Sequence, residues 1–435
     1  MSVPEPRGLP VVGHTLSFFR DPFGFYERAG ELGDVVRTEI MGEEIYQIRH
    51  PDTVKRVFVD EHERFRKGDL LRNTSGQFAP DGLFMTEGEQ WKRQRETVQP
   101  AFYRDRIEGY VPEMVAAARR VTDGWRDGEI VAVDEVMREL TLEIIARTMF
   151  GTDDPDHLVA VADAAAAITD RFEAGMTAFL PAWVPTPTNR RYRRASDRLD
   201  EVIDELRSEA DLAGDGPPDL LSILVASDLP DEEIRDQLVT FLFAGHETTS
   251  LALTYTWHLL SQHPNVRERL HEEVDALDGP LWNGQPRSAD PSLSEDDLEY
   301  TARVVDESLR LYPPAYNVFR QADEPVELRG YELPAGATLS VPIHRIHRDG
   351  RFYDAPETFD PDRWPAGPSH EYAYLPFGAG PRHCIGMRFA LLELRVALAD
   401  IARRWRLEPF GGLPDLRMSI TLQPSDSVDF RVRKR

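Results

Sequence analysis

The chain has 435 residues and a formal net charge of −25 at pH 7, from 76 acidic and 51 basic residues, of which four are lysine. Such an acidic surface disfavours nucleic acid and anionic membranes as partners, and it suits a protein from a halophilic source. The single cysteine excludes an intramolecular disulfide and a cysteine-rich metal centre. Because the sequence has no signal-peptide pattern and no run of about 18 apolar residues, we expect a cytoplasmic protein without a membrane anchor.

The first half of the chain combines short strands with amphipathic helices. A helix is predicted from Pro22 to Leu32, and the alternating runs Val35–Ile40 and Glu44–Ile48 predict a β-hairpin. Residues 60–86 show no regular pattern. Further helices are predicted over residues 51–59, 106–150, 155–180 and 190–210.

One long helix dominates the second half of the chain. Its pattern begins at Asp231 and continues to His263, where Pro264 ends it. Further helices are predicted over residues 266–277, 295–311 and 385–405, and strands over 326–328, 338–342 and within 408–433. We find no repeat and no linker. The pattern predicts a single domain over residues 1–435, mainly α with a small β portion (an α+β fold), and not a doubly wound sheet.

Cys384 lies in the stretch Phe377-Gly378-Ala379-Gly380-Pro381-Arg382-His383-Cys384-Ile385-Gly386, directly before a predicted helix. A thiolate at a helix start is stabilised by unpaired N–H groups and the helix dipole. One thiolate with one open coordination side is what a haem iron needs if it is to activate oxygen. The commoner alternative for a free cysteine is a small, buried, inert residue.

The middle of the long helix has the sequence Ala244-Gly245-His246-Glu247-Thr248-Thr249. The small pair Ala244-Gly245 allows a bulky planar group to approach the backbone. The hydroxyl of Thr248 can bond back to the carbonyl of Ala244. Burying Glu247 would be costly unless it served a proton path or a partner. The apolar flanks of this segment argue against the alternative of a polar stripe that faces solvent.

Charged residues from distant segments complete the candidate set. Glu307 and Arg310 lie one helical turn apart, and Arg363 lies in the loop before the cysteine. A buried carboxylate between two arginines would fix that loop, whereas an exposed pair would contribute little. Trp91 and Arg95 share one helix face. Arg320 and Arg382 lie in other, distant parts of the sequence. Each of these arginines alone would be interpreted as a surface charge.

Four motifs resemble those of the cytochrome P450 superfamily, the haem-thiolate monooxygenases, in its soluble prokaryotic form, and they occur in the order that the family shows. They are Ala244-Gly245-x-Glu247-Thr248-Thr249, Glu307-x-x-Arg310, Pro361-x-Arg363-Trp364 and Phe377-Gly378-x-Gly380-x-Arg382-x-Cys384-x-Gly386. The Trp91-x-x-x-Arg95 helix is also similar, and the matching features extend from about residue 6 to residue 425. Trp364 and Gly350 replace the family's frequent Phe and Pro without touching the chemistry.

The resemblance implies a cytochrome P450 fold with haem b (iron protoporphyrin IX) between the long central helix and the helix that follows the cysteine loop. Cys384 would be the iron ligand, and Glu247 with Thr248 would deliver protons. Glu307, Arg310 and Arg363 would be structural. The other residues expected at the cofactor are Trp91, Arg95, Ala244, Arg320, Phe377, Gly378, Arg382 and Gly386.

The implied reaction inserts one oxygen atom from dioxygen into a C–H bond or a double bond. Because no reductase module is fused to the chain, the electrons would come from a separate ferredoxin or flavodoxin. Lys92, Arg93, Arg388 and Arg395 would form a docking patch for this acidic donor, or they are scattered surface charges. We expect a monomer that binds no nucleic acid.

The substrate is expected to be a lipophilic small molecule. Asp81-Gly82-Leu83-Phe84 resembles fatty-acid hydroxylases, yet Gly42-Glu43-Glu44-Ile45 supplies no cation for a carboxylate, so fatty acids and terpenoids both stay open. The resemblance implies a mobile lid over residues 172–187. It implies a pocket lined by Phe84, Phe241, Ala244, Ala315, Tyr316, Val318 and Ile420.

Three other functions are less compatible with the acid–hydroxyl pair Glu247-Thr248. A peroxide-driven relative would carry an arginine and another acid there. An isomerase or dehydratase of the same fold would lack Thr248. A haem protein that senses gas or carries electrons needs no such pair.

Overall fold

The computed structural model describes residues 2–9, 13–75, 79–173, 183–209, 219–277 and 298–435. It is 56% helix and 13% strand, which confirms the predicted fold class. The helices are α1 (Thr15–Arg20), α2 (Pro22–Gly30), α3 (Pro51–Lys55), α4 (Asp69–Ser75), α5 (Gly88–Val98), α6 (Arg104–Gly109), α7 (Val111–Thr122), α8 (Val133–Met149), α9 (Pro155–Glu173), α10 (Pro187–Glu209), α11 (Leu220–Val225), α12 (Asp231–Gln262), α13 (Pro264–Ala276), α14 (Glu299–Leu311), α15 (Ile343–Ile346) and α16 (Met387–Arg404). The strands are β1 (Val35–Ile40), β2 (Glu43–Ile48), β3 (Phe65–Arg66), β4 (Ile130–Ala132), β5 (Val318–Ala322), β6 (Val326–Leu328), β7 (Tyr331–Leu333), β8 (Thr338–Val341), β9 (Trp405–Pro409), β10 (Leu416–Met418), β11 (Leu422–Pro424) and β12 (Asp429–Lys434).

The chain divides into two compact units, and we call the first the β-rich unit (Met1–Gln77 and Leu309–Cys384). Its sheet has the strand order β1-β2-β8-β5-β3. The predicted hairpin is present, with Val35 opposite Ile48 in an antiparallel pair, while β2 and β8 run parallel. Buried side chains such as Ile48, Leu339 and Leu375 form one apolar cluster in this unit. The segment that ends at the cysteine is therefore part of the same core as the sheet.

The second unit is the helical unit (Phe78–Ser308 and Ile385–Arg435). Its central element is α12, the predicted long helix, which packs against α8 and α16. A Cβ at Gly245 would lie 2.3 Å from Cδ1 of Ile145, so only glycine allows α8 to approach so closely. The phenol of Tyr255 on α12 donates to the carbonyl of Leu422 at 2.7 Å. This bond fixes the hairpin of β10 and β11 on the central helix.

Two predicted segments need correction. Residues 106–150 do not form one helix, because α6, α7 and α8 are separate and β4 lies between the last two. Strand β4 pairs with β12, about three hundred residues away, so no local pattern reveals it. The segment 60–86 is not wholly irregular, since it contains β3 and α4.

Some predictions fall outside the described residues. Most of the predicted lid at 172–187 and the first residues of the predicted helix 295–311 belong to the segments that the structure does not describe. Among the described helices, none is both long and apolar enough to cross a bilayer.

Candidate functional site

Cys384 closes a tight loop in the β-rich unit. Its backbone N–H donates to the carbonyl of Phe377 at 2.9 Å, and the N–H of Gly378 donates to the carbonyl of Leu375 at 3.0 Å. Gly378 and Gly380 have φ angles of 71° and 70°, a region that favours glycine. Cys384 is exposed, although free cysteines are among the most buried residues of proteins. Cys384 is therefore not the buried, inert residue that the alternative interpretation requires.

Two arginines hold the segment that supports this loop. Arg310 is fully buried, and its guanidinium donates to the carbonyls of His347 at 2.8 Å, Pro356 at 2.6 Å and Thr358 at 3.0 Å. Arg363 donates to the carbonyl of Asp354 at 2.9 Å and also to that of Thr358. Both arginines therefore bind main-chain carbonyls between residues 347 and 358. Glu307 is fully buried, as the sequence predicts.

His347 connects this segment to the cysteine loop. Its Nε2 accepts the backbone N–H of Leu375 at 2.9 Å, and its ring stacks on Tyr374. Burial lowers the pKa of His347 to about 3, so the imidazole stays neutral and able to accept. The loop that carries Cys384 is thus fixed at its start by a buried neutral histidine.

Replacing Gly380 by alanine is expected to destabilise the cysteine loop. A Cβ at this position would lie 1.8 Å from the carbonyl oxygen of Phe58, and the φ of 70° strains any side chain. We expect a loss well above the ~1–2 kcal/mol of a left-handed alanine alone, measured as the free energy of unfolding in urea. Gly330→Ala is the matched control, because Gly330 has a φ of 83° but a Cβ there would meet nothing within 4 Å. Equal losses for both variants would contradict the steric argument.

In the helical unit, one stripe of α12 remains accessible although most of the helix is buried. It comprises Phe241, Ala244, Gly245 and Thr248, which lie at the spacing i, i+3, i+4 and i+7 of one helix face. The hydroxyl of Thr248 donates to the carbonyl of Ala244 at 2.6 Å, as the sequence predicts. The small side chains of Ala244 and Thr248 are therefore accessible at the place where the sequence expects a planar group to approach.

Glu247 lies beside this stripe but is buried, with 6% of its surface exposed. Its carboxylate accepts the hydroxyl of Thr421 at 2.6 Å, the amide of Gln423 at 2.5 Å and the hydroxyl of Thr169 at 3.4 Å. Burial raises the pKa of Glu247, and these hydrogen bonds oppose the rise. Glu247 is thus a carboxyl group that holds a proton more readily than usual. Sequence reasoning missed Thr421 and Gln423, because no local signal connects them with α12.

The predicted cofactor-binding side chains are divided between the two units. In the helical unit, the guanidinium of Arg95 lies 5.8 Å from the ring centroid of Trp91, so both residues share one face of α5. In the β-rich unit, the guanidinium of Arg320 lies 4.4 Å from the ring centroid of Phe58. Gly386 is the N-cap of α16. Each unit therefore contains an arginine that could bind the carboxylate of a haem propionate.

The predicted pocket residues are also divided. In the helical unit, Phe241 stacks on Phe102 with the ring centroids 5.4 Å apart, and 49% of Phe84 is exposed. Ile420 lies in the turn between β10 and β11. In the β-rich unit, Ala315 and Tyr316 lie just before β5, which begins at Val318. All of these side chains except that of the phenol Tyr316 are purely apolar.

The residues present fit a haem group. The cysteine that would supply a thiolate is exposed, and a Cβ at Gly378 would meet nothing within 4 Å, so the backbone there leaves room beside the loop. The stripe on α12 offers small residues to a planar partner. Across the described ranges, no group of three or more His, Cys, Asp or Glu side chains is placed to hold a metal ion. A single exposed cysteine is able to supply the one thiolate that a haem iron needs.

A second buried carboxyl group lies on α16. Glu393 is fully buried, and within the described part of the chain neither carboxyl oxygen has a hydrogen-bond partner. Burial raises its pKa well above the ordinary 4.5. Burial without a hydrogen-bond partner therefore favours the protonated form of Glu393.

Glu393→Gln is therefore expected to stabilise the protein relative to the parent as the pH rises. Below the ordinary pKa both states of the parent bind the proton, so Glu393 costs nothing extra. Above it the unfolded chain ionises while the folded protein does not, so the parent loses stability with rising pH until the folded pKa is reached. Urea unfolding of both proteins between pH 5.5 and 8 measures this divergence. A constant difference across that range would show that Glu393 ionises normally.

Comparisons with known proteins agree with the site. The family model described as Cytochrome P450 matches residues 3–427. Cyclooctat-9-en-7-ol 5-monooxygenase of Streptomyces melanosporofaciens is 34% identical over 425 residues, which cover 94% of this chain and 90% of that protein. Pentalenene oxygenase of Streptomyces avermitilis is 32% identical over 441 residues, with 96% and 94% covered. The crystal structure of the cytochrome P450DA heme domain matches with a TM-score of 0.84 at 28% identity, covering 100% of this chain and 98% of that one.

The fold and the exposed cysteine in its glycine frame define a haem-thiolate enzyme. The chain belongs to the cytochrome P450 family. It is a monooxygenase that binds haem b and inserts one oxygen atom into a hydrophobic organic substrate.

Proposed function

We propose that this monooxygenase oxygenates a carbocyclic terpenoid. The observation that carries the proposal is the apolar lining: Phe241, Ala244, Val318 and Ile420 bring no charge to the pocket positions. Apolar pockets select lipophilic ligands. The two relatives named above act, by their names, on cyclooctat-9-en-7-ol and on pentalenene. Both are polycyclic terpenoids without a carboxylate.

The early hairpin supports the preference for a terpenoid over a fatty acid. A carboxylate substrate would need an unpaired cation to bind it. On the hairpin of β1 and β2, the candidate is Arg37. Its guanidinium forms ion pairs with Glu44 and, at 3.3 Å, with Glu5. The hairpin therefore presents a neutralised cation beside an acidic edge, which does not favour a fatty acid.

We assign the site residues as follows. Cys384 would supply the thiolate that holds the haem iron, with Phe377, Gly378 and Gly386 beside it in the sequence motif. Arg95, Arg320 and Arg382, together with Trp91, would bind the propionates, because each can direct an N–H donor at a carboxylate. When bound, the haem supplies the activation of dioxygen. The remaining chemistry, which consists of orientation and proton supply, belongs to the protein side chains.

Glu247 and Thr248 are proposed to supply protons. Burial raises the pKa of Glu247, which favours the protonated form that a proton donor needs. The proton of Thr248 is engaged by the carbonyl of Ala244, so its oxygen faces the accessible stripe as an acceptor. A proton that leaves Glu247 can therefore pass to a neighbouring water that Thr248 orients.

The electron donor is proposed to be a separate ferredoxin or flavodoxin. Of the four cations expected in its docking patch, Arg93 pairs with Glu233 at 2.6 Å and Lys92 with Glu89 at 2.7 Å. Arg388 is exposed on the first turn of α16. The patch would therefore depend more on Arg388 and Arg395 than on the two paired cations. Reduction rates with each donor, for the parent and for Arg388→Gln, test this assignment.

We also propose that the protein is a cytoplasmic monomer of a halophile. The net charge of −25 supports this, because salt screens the self-repulsion of the acidic surface. The unfolding temperature should then rise steadily between low and molar KCl. A chain that is equally stable without salt would count against a halophilic origin. Sedimentation in the same buffers tests the monomer.

A spin-state screen tests the proposed substrate class. Polycyclic terpenes and terpene alcohols should shift the haem iron of the purified protein to high spin. Long-chain fatty acids of similar size serve as the matched control and should not. Oxygen uptake with the active terpenes should then depend on a reductase. A response to fatty acids alone would overturn the terpenoid assignment, and no response to any lipophile would favour a binding role.

A further inference from the structure

The β-rich unit contains a cavity of ≈ 440 Å³, and none of the proposed haem or substrate residues line it. Its walls carry the four arginines Arg49, Arg345, Arg348 and Arg351, together with two aspartates and three glycines. Four guanidinium groups therefore meet in one cavity of a chain whose net charge is −25. The cavity is a basic site in an acidic protein.

Three of the four arginines are already paired. Arg351 lies 2.8 Å from Asp34 and 2.6 Å from Asp349. Arg345 lies 3.6 Å from Glu27, and Arg348 lies 3.0 Å from Glu357. A fifth arginine, Arg329, also pairs with Asp34, at 3.4 Å. Five arginines thus face four carboxylates.

The unmatched cation is Arg49. Among the described residues, no carboxylate lies within ion-pair distance of its guanidinium, although only 8% of its surface is exposed. Its Nε is buried without a hydrogen-bond partner in the described part of the chain, and the same holds for Nε of Arg345. An unpaired buried charge is among the costliest features of a folded protein. Arg49 therefore requires a compensating negative charge.

The backbone makes space for this cation. A Cβ at Gly30 would lie 1.1 Å from Nη1 of Arg49, so the guanidinium rests directly on the glycine at the end of α2. Burial and the neighbouring Arg345 lower the pKa of Arg49, while Asp349 and Asp34 act in the opposite sense. The end of α2 carries a partial negative charge, but a helix terminus stabilises a cation only weakly. It does not replace a full counterion.

We propose that this cavity binds a compact oxyanion of the phosphate or sulfate type, with Arg49 as its principal ligand. Guanidinium groups match such anions through paired N–H donors. Arg345, with its unpartnered Nε, is the second ligand. The bound anion supplies the negative charge that Arg49 lacks, since the four carboxylates pair with the other four arginines.

The site has a structural consequence for the cysteine loop. Arg345, Arg348 and Arg351 flank His347, whose Nε2 accepts the N–H of Leu375 at the start of the loop. Arg310 holds the carbonyl of the same histidine. An anion that fixes residues 345–351 therefore stabilises the segment on which the loop of Cys384 rests.

The test measures anion binding to the haem-loaded protein. Inorganic phosphate should raise the unfolding temperature saturably and by more than chloride does at equal ionic strength, and titration calorimetry should show one site per chain. Arg49→Met should weaken phosphate binding at least tenfold. Arg20→Met is the matched control, because Arg20 is an exposed arginine of the same unit, and it should bind as the parent does. The ionic-strength match separates this effect from general stabilisation by salt.

Two results would overturn the proposal: no phosphate binding to the parent by calorimetry, or equal binding by Arg49→Met. If that variant does not fold, Gly30→Ala is the second variant, since its Cβ excludes Nη1 of Arg49 from its position. Glycerol 3-phosphate separates the two sources of such an anion. Tighter binding than phosphate assigns the site to a phosphorylated organic molecule, and weaker binding assigns it to the free ion. Because the test measures anion binding, its result does not depend on which substrate the enzyme oxygenates or on whether the proposed function is correct.

Discussion

Replacing Cys384 by serine is expected to remove the thiolate-type absorption of the reduced, carbon-monoxide-bound protein and to reduce oxygenation to background. The chain has no other cysteine, so no second thiol can take over. A serine hydroxyl stays protonated near neutral pH and cannot donate electron density as a thiolate does. The loop itself should persist, because its hydrogen bonds involve the backbone of Phe377 and Cys384 rather than the sulfur. Spectra and product formation are measured on the same preparation.

His383 provides the control for this experiment. It is the neighbouring residue and another possible iron ligand, but its Nδ1 lies 2.9 Å from the carbonyl of Gly380, within the loop. His383→Gln should keep both the thiolate spectrum and the activity. If the spectrum survived in Cys384→Ser, or disappeared in His383→Gln, the assignment of the ligand would be wrong.

Local sequence patterns predicted the parts of the site that local geometry determines. The bond from Thr248 to the carbonyl of Ala244 follows from the four-residue repeat of a helix. The φ angles near 70° at Gly378 and Gly380 are likewise a local property, because only glycine readily adopts them. The family motifs added the order of these segments along the chain. For such features one sequence is sufficient.

Features that depend on distant contacts were not predictable. Two of the three partners of Glu247, Thr421 and Gln423, lie 174 and 176 residues away on the hairpin of β10 and β11, and no local pattern there indicates a contact with a carboxylate. The solitary cation Arg49 appears in the sequence as one more surface arginine, and only the count of ion pairs around it reveals the imbalance. Strand β4 was missed because its hydrogen bonds come from β12. Tertiary pairing, not local propensity, determines each of these features.

The largest effect outside the cysteine loop is expected at Glu247. Glu247→Gln keeps the shape of the side chain and its contact with Thr421 but cannot release a proton. We expect product formation to fall about 10²-fold, the usual contribution of a positioned proton donor. The oxygen consumed should then appear as peroxide instead of product. The ratio of product to oxygen uptake measures the loss, and an unchanged ratio would exclude Glu247 from proton supply.

The hairpin of β10 and β11, which contacts Glu247, allows a second test based on the pH dependence of product formation. The protonated form of Glu247 is the donor, so product formation should be constant at low pH and fall as the pH rises through its pKa. The hydrogen bond from Thr421 lowers that pKa, because it favours the ionised carboxylate. Thr421→Val removes the bond, so the fall should move to higher pH while the ratio of product to oxygen uptake at low pH is kept. Thr256→Val is the matched control: it also deletes a buried hydroxyl, but that hydroxyl bonds to the carbonyl of Ala252 and touches no carboxylate. If both variants kept the parent's pH profile, the hairpin would have a structural role only, and Glu247 would not depend on it for its proton.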